Sequence, residues 1–332
     1  MAGNKDITVP LPSGRQLTVE QTGTVQRCLL EGRQLLGVEA NPEQPHRLRV
    51  FRTPDSLSAL RSASYALFVG NPSVTVLVFD QADGVLIDSA LMFYHAAQQW
   101  HLYRDALWQW PELWLQGQSR LAAPTLYTMG ANGHCHPLRP ARPEGEVYRR
   151  FDYQLGAWVS LRTLEINEDL ERFHRWQNSE RVACFWQERG TLEQHQGYLQ
   201  RLFDDPRVLP LIGCINNESF AYFEAYWAKE DRIAPYYQAD DYDRGIHMLV
   251  GEENHRGPHK VKAWLTALCH YLFLDDPRTQ RIVSEPRFDN QKMISYLQAH
   301  RFAKIKEFEF PHKRASLMIL TREAFFDRCT LG

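Results

Sequence analysis

The residues of this chain best suited to chemistry lie in one run. It reads Arg244-Gly245-Ile246-His247-Met248-Leu249-Val250-Gly251-Glu252, continuing as Glu253-Asn254-His255-Arg256-Gly257-Pro258-His259. The order is a short apolar strand, a turn, and an amphipathic segment with helical periodicity. A turn of that kind presents backbone N–H groups to a phosphate. Ile246, Met248 and Val250 share the face of the strand opposite His247, so the imidazole points away from them. A free imidazole with a pKa near ~6.5 can take or give a proton at neutral pH. The alternative is a core histidine satisfied by one hydrogen bond.

Elements able to position this run are legible on both sides of it. Trp158 to Leu164 reads as a strand, and Asn167 as the cap of a helix through Trp176. Leu192 to Phe203 reads as a second helix. Leu209 to Ile215 and Phe220 to Ala228 form a hairpin through Asn216-Asn217-Glu218. After the histidine strand come a helix from Val261 to Leu274, a strand from Arg281 to Glu285, a helix from Asn290 to His300 and a final strand pair. Helices alternating with strands predict an α/β sheet. Earlier in the chain, His46 to Arg52 and Val74 to Phe79 read as strands, the second closed by the turn Asp80 to Gly84. Phe93, Trp100, Tyr103, Leu107 and Trp110 share one face of an expected helix that Pro111 ends.

Residues 117–150 are broken by Pro124, Gly130, Gly133, Pro137, Pro140, Pro143 and Gly145, which predicts a long connector. The expected division is an N-terminal α/β domain over 1–145, including that connector, and a second domain over 146–332. The balance of 44% hydrophobic and 23% charged residues over 332 positions is that of a soluble globular protein. A formal net charge of −2 supplies no field for nucleic acid or an anionic membrane. The six cysteines include no Cys-x-x-Cys pair, which fits reduced thiols in a cytoplasmic protein. The polar, proline-broken start is not a signal peptide, and no apolar stretch is long enough to span a bilayer. Gly133-His134-Cys135-His136-Pro137 lacks a partner pair at ligand spacing, so no metal is expected.

The ordered succession of these elements resembles the GNAT superfamily of acyl-coenzyme A-dependent N-acyltransferases. Within it the chain is similar to the hydroxamate siderophore branch. The phrases that carry the resemblance are Arg142 to Arg150, Pro210 to Cys214, Tyr226 to Ile233, the histidine strand, Asp276 to Arg281 and Phe310 to Arg314. It covers residues 146 to 326. The implied fold is a central mixed, splayed sheet flanked by helices, and the α/β pattern of the N-terminal half suits a degenerate second copy. The run Asn254-His255-Arg256-Gly257-Pro258-His259 departs from the usual phosphate loop: Gly257 keeps the first glycine, while Pro258 and His259 replace small residues. Proline is tolerated in the first helical turn, where its missing N–H has no intrahelical acceptor.

The resemblance implies an acetyl or similar short acyl group moving from its coenzyme A thioester to an N-hydroxylated side-chain amine, such as that of N-hydroxylysine. The product is a hydroxamate. It further implies His247 as general base with Glu285 as its partner, as a triad carboxylate orients its histidine. The backbone of Met248, Leu249, Val250 and Gly251 would pair with the pantetheine amides, with Asn290 near that arm. Arg256, Gly257, His259 and Lys260 would hold the diphosphate. Trp227, Glu230, Arg232, Tyr236 and His312 would meet the substrate. Tyr296 lies one residue from the superfamily's usual tyrosine position, about 100° around the helix, and is not assigned a role. An N-monooxygenase and a siderophore synthetase are the implied pathway partners. Two rivals stand beside this reading: an aminoglycoside-type N-acetyltransferase, and a catalytically silent acyl-coenzyme A-binding partner.

Overall fold

The computed structural model describes residues 6–80, 92–95, 99–116, 124–130, 133–327 and 331. The chain divides into two compact units. One holds Met1–Trp114, Phe151–Gln154 and Phe326–Gly332; the other holds Leu115–Arg150 and Leu155–Phe325. Where described, the proline-rich segment after residue 123 therefore belongs to the second unit. No helix among the described residues is long and apolar enough to cross a membrane.

The first unit begins with antiparallel strands β1 (Ile7–Pro10), β2 (Gln16–Thr22), β3 (Val25–Leu30) and β4 (Arg33–Ala40). Then follow β5 (Arg47–Arg52), helix α1 (Leu57–Gly70), β6 (Val76–Phe79), β7 (Met92–His95), β8 (Gln99–Tyr103) and the short helix α2 (Arg104–Trp108). The sheet order is β1-β2-β3-β4-β5-β6-β8-β7, and only β5 and β6 run parallel. The aromatic helix expected over 93–110 is not formed. Phe93 lies on β7 and Trp100 and Tyr103 on β8, with Phe93 opposite His101 and Tyr94 opposite Trp100. Leu107 is the one member of that stripe on a helix. Alternation along Trp100-His101-Leu102 carried as much weight as helical spacing, and pairing of β8 with β6 satisfies its backbone. The expected turn over 80–84 lies outside the described residues beyond Asp80.

The second unit repeats that plan. Its strands are β11 (Glu146–Asp152), β12 (Ala157–Thr163), β13 (Val208–Ile215), β14 (Glu218–Trp227), β15 (Arg244–Val250), β16 (Arg281–Ser284), β17 (Ala303–Glu309) and β18 (Arg314–Thr321), with a separate small pair β9 (Tyr127–Met129) and β10 (Cys135–Pro137). The sheet order is β11-β12-β13-β14-β15-β16-β18-β17, the same permutation as in the first unit. Again the fifth and sixth strands are parallel and joined by a long helix, because a parallel pair needs a crossover. That helix is α6 (Pro258–Asp275), counterpart of α1. The mixed sheet and second copy are both present.

The two copies differ where chemistry is expected. Between β2 and β3 the first unit has only the tight turn at Gly23, whereas between β12 and β13 the second has helices α3 (Ile166–Asn178), α4 (Glu180–Trp186) and α5 (Leu192–Asp204). The β5–α1 loop, Thr53-Pro54-Asp55-Ser56, has no glycine and is closed by the Ser56 hydroxyl on Ala59 N–H. Strand β5, Arg-Leu-Arg-Val-Phe-Arg, holds no histidine or carboxylate.

Local chemistry explains the helices of the second unit. Helix α5 starts in a capping box in which Thr191 and Gln194 satisfy each other's backbone N–H groups. At its other end the Arg142 guanidinium donates to the carbonyls of Leu202 and Phe203 at 2.8 Å, cations being favoured at helix C-termini. Helix α3 starts at Ile166 rather than after Asn167. Buried Asp169 accepts the Glu165 N–H and the fork of Arg162, so it does the capping that Asn167 was expected to do. The β13–β14 hairpin turns on Asn216 and Asn217, both at positive φ as a primed turn requires. Helix α7 (Gln291–Ala299) is capped by Asn290, whose side chain accepts from Met293 N–H; helix α8 (Arg322–Phe326) closes the described chain but for Asp327 and Leu331.

Candidate active site

His247 lies in the middle of β15, directly opposite Glu224 on β14. Cross-strand neighbours of that kind bring their Cβ atoms within about 5 Å. Its Nδ1 is 2.9 Å from Glu224 Oε2, and its Nε2 is 2.7 Å from Glu285 Oε1. Glu285 follows β16 and is buried, with a second oxygen accepting the Tyr226 hydroxyl at 2.8 Å. Glu224 is buried too, its other oxygen accepting the hydroxyls of Tyr198 and Tyr222 at 2.6 and 2.9 Å. Gly245 makes this arrangement possible. A Cβ there would fall 1.9 Å from the Tyr226 ring, so any other residue would push away the tyrosine that holds Glu285.

The imidazole thus bridges two buried carboxylates, and its electrostatics follow. Burial disfavours the charged ring, but attraction to Glu285 and hydrogen bonds to both carboxylates outweigh it, raising the pKa to about 10. Burial likewise resists ionisation of Glu285, yet the charge and hydrogen bond of His247 bring it down to about 2. Glu224 is lowered in the same way despite its burial, with help from the two tyrosines. At neutral pH the resting ring carries both protons. The ordinary pKa expected for a free imidazole does not apply here.

A cavity of about 620 Å³ opens over the ring. Of the expected site residues His247, Glu285, Met248, Asn290, Arg232 and His312 line it, and Glu224, which was not expected, joins them. Its outer wall comes from Phe185, Trp186, Gln187 and Glu188, at and just after the end of α4, and from Lys313 and Arg314. Lys313 donates to the Glu285 carbonyl at 2.8 Å and stands 3.9 Å from its carboxylate. The other expected substrate residues are placed elsewhere. Trp227 is sandwiched between the guanidinium groups of Arg139 and Arg244, at 4.2 and 4.1 Å from its ring. Glu230 is buried and takes the fork of Arg139 through two 2.6 Å bonds, with His136 3.0 Å away. Tyr236 packs between Phe308 and Phe310. None of the three lines the cavity.

Beside the ring the sheet splays. Strand β15 pairs with β16 only at Arg244 and Gly245, while on its other edge it pairs with β14 along its full length. Beyond Gly245 the β15 edge is left to other partners: Ser284 Oγ donates to the Ile246 carbonyl at 3.3 Å, and Arg181 Nη2 to those of Val250 and Gly251 at 2.7 and 3.1 Å. Leu249 turns its side chain into the core with Phe173 and Trp176. The Ile246 and Val250 carbonyls face the open edge, so by alternation it is Met248 whose backbone groups face it, while those of Leu249 face β14. Gly257 has φ of +121°, which favours glycine, and hands the chain to α6 with Pro258 first. The opening N–H groups of a helix have no intrahelical acceptor. Exposed Arg256 and His259 flank this terminus, and Lys260 donates to the Asn254 carbonyl at 2.6 Å. The Arg181 guanidinium is depressed by burial and by the charge of Arg256, which places two guanidinium groups in one field.

Two members of this site escaped sequence reasoning. Glu224 is the one charge in the buried stretch Phe220–Trp227, a costly position without a partner, and that cost was the available signal. Arg181 sits on a short helix with nothing in its spacing to mark it.

The family model described as an acetyltransferase (GNAT) domain matches residues 165–310. The chain is 40% identical over 260 residues to the N(6)-hydroxylysine O-acetyltransferase of Escherichia coli, covering 78% of this chain and 82% of that protein. It is 46% identical to a putative lysine N-acyltransferase of Schizosaccharomyces pombe, over 67% of this chain and 66% of that one. It is also 46% identical to the N(5)-hydroxyornithine:cis-anhydromevalonyl coenzyme A-N(5)-transacylase of Beauveria bassiana, over 59% of this chain but 44% of that longer protein. Among solved structures, an uncharacterized Bacillus halodurans protein superposes with a TM-score of 0.54 at 31% identity, covering 56% of this chain and 95% of its own.

Proposed function

Because this chain belongs to the GNAT acetyltransferase family, an acyltransferase family whose members use acyl-coenzyme A, we propose that it acylates the hydroxylated side-chain nitrogen of N6-hydroxylysine or a related N-hydroxydiamine. The preferred donor is acetyl-coenzyme A. The observation that carries the proposal is the imidazole of His247, held between two carboxylates where the sheet opens. The relatives point to the substrate: one name specifies N(6)-hydroxylysine, another N(5)-hydroxyornithine.

In the proposed reaction the nitrogen attacks the thioester carbonyl, the C–S bond breaks, and a hydroxamate and coenzyme A thiol form. The nitrogen loses one proton and the sulfur gains one. A hydroxylated nitrogen is less basic than an alkyl amine, so it arrives neutral and its proton leaves as the bond forms. His247 must first give up a proton to serve as base. A neutral ring can donate to only one carboxylate, and the contact at its other nitrogen is the one the substrate proton takes over. Glu285 and Glu224 then stabilise the recharged ring. The β15 edge at Met248, where β16 no longer pairs with it, would hold the pantetheine amides. The α6 terminus with Arg181, Arg256 and Lys260 would hold the diphosphate.

We place the protein in the cytoplasm, downstream of an amine N-monooxygenase and upstream of a synthetase that joins the hydroxamate to a carboxylate scaffold. The test is thiol release from acetyl-coenzyme A with N6-hydroxylysine, lysine and an aminoglycoside, with product identified by mass and by ferric complexation. A hydroxamate forms a coloured ferric complex that an O-acyl product does not. Turnover confined to the hydroxylated amine, with ferric colour, is expected. Turnover confined to the aminoglycoside, or none at all, would contradict the proposal.

A further inference from the structure

The cavity carries two opposed charges that its protein partners leave unused. Arg232 lines it and forms no ion pair or hydrogen bond among the described residues; its guanidinium lies 5.6 Å from the centre of the Phe310 ring. Its neighbour Asp231 shares its field but forms no ion pair with it: that carboxylate accepts the Ile233 N–H at 3.0 Å and stands 4.0 Å from Arg207. Glu188 also lines the cavity; its carboxylate forms no hydrogen bond or ion pair among the described residues, though His195, Arg201 and Arg232 attract it, and its backbone carbonyl is contacted by the His195 ring at 2.7 Å. Arg232 and Glu188 feel each other's field without touching. Both lie on the walls formed by the α4–α5 loop and the loop after β14, and neither is bonded to His247 or its two carboxylates.

An unpaired guanidinium and an unpaired carboxylate facing one cavity are complementary to a zwitterion. We propose that Arg232 and Glu188 read the α-amino-acid head of the acceptor, Arg232 taking the carboxylate through its fork and Glu188 the ammonium. Resting on the proposed acylation of a hydroxylated side-chain nitrogen, this assigns the acceptor class: an N-hydroxylated amino acid, not the decarboxylated N-hydroxydiamine. A diamine supplies nothing for Arg232 and leaves that guanidinium unmatched. The reaction that supplies the substrate is then an N-hydroxylation of a free amino acid.

The experiment compares kcat/KM for N6-hydroxylysine and N-hydroxycadaverine, the same amine without its carboxylate, in the wild type, Arg232→Gln and Glu188→Gln. The wild type should prefer the amino acid by about ten- to a hundredfold, the range of one charge-assisted contact. Arg232→Gln should bring that ratio toward one. Glu188→Gln should erase discrimination between N6-hydroxylysine and its α-N-acetylated form. Calorimetric binding of N6-hydroxylysine, independent of turnover, should weaken in both variants. Equal wild-type use of amine and amino acid, a ratio unmoved in Arg232→Gln, or unweakened binding would overturn the inference while leaving the acylation reading intact. Absence of turnover with both acceptors would overturn that reading instead, and binding would still decide the role of Arg232.

Discussion

Replacing His247 with alanine is expected to lower kcat/KM for the hydroxylated amine by about a hundred- to ten-thousandfold, the range of one positioned acid–base group. The expectation rests on geometry: among the described residues His247 alone stands between Glu224 and Glu285 at the opening of the sheet. Alanine also leaves two buried carboxylates facing each other without their cation, so folding must be measured alongside activity. His247→Gln separates the two effects. Glutamine keeps a donor for one carboxylate but cannot carry the proton, so it should fold better than alanine and remain as inactive. Steady-state kinetics with thermal unfolding of both variants checks this; a folded, fully active glutamine variant would remove His247 from proton transfer.

The largest stability effect is expected at Glu230, not in the cavity. Glu230 and Arg139 are both buried and joined by two 2.6 Å bonds, and Arg139 stacks on Trp227 as well. Removing one partner of a buried pair strands the other charge, at a cost of about 3–5 kcal/mol. Glu230→Ala should therefore lower the denaturation midpoint markedly while leaving KM for the acceptor near its wild-type value. The linkage ties the segment before β11, which carries Arg139, to the loop that follows β14. A variant of unchanged stability with a raised KM would return Glu230 to the substrate-binding role its sequence context suggested.

Much of the second unit was readable because its signals agree. Strand and helix periods alternate, Thr191 and Gln194 mark a helix start, and Asn216-Asn217 marks a hairpin. The histidine strand could be recognised, and with it the pairing of His247 with Glu285. What the chain concealed depends on tertiary pairing. Glu224 is opposite His247 only because β14 and β15 take one register, and spacing of 23 residues says nothing of that. Trp227 and Glu230 sit in the same polar loop region as Arg232, but two of the three are committed to arginines and one is free. In the first unit, the aromatics from Phe93 to Trp110 fit a helical stripe and an alternating strand alike, and pairing with β6 decided for the strand. The shared strand order of the two units shows a second copy of the plan, stripped of the helices between its second and third strands and of the glycine turn before its long helix.

We propose that His247 is a base whose proton affinity two carboxylates have raised. The pH dependence of kcat/KM, measured in the wild type and in Glu224→Gln, addresses it most directly. The ionisation of the substrate nitrogen is common to both, so the difference between them isolates the ring. In the wild type the rate should climb with pH toward an apparent pKa near the ring's value of about 10. Glu224→Gln removes one attracting carboxylate and should move that limb acidward by about one to three units. A wild-type limb at the ordinary imidazole value, unmoved by Glu224→Gln, would contradict the claim.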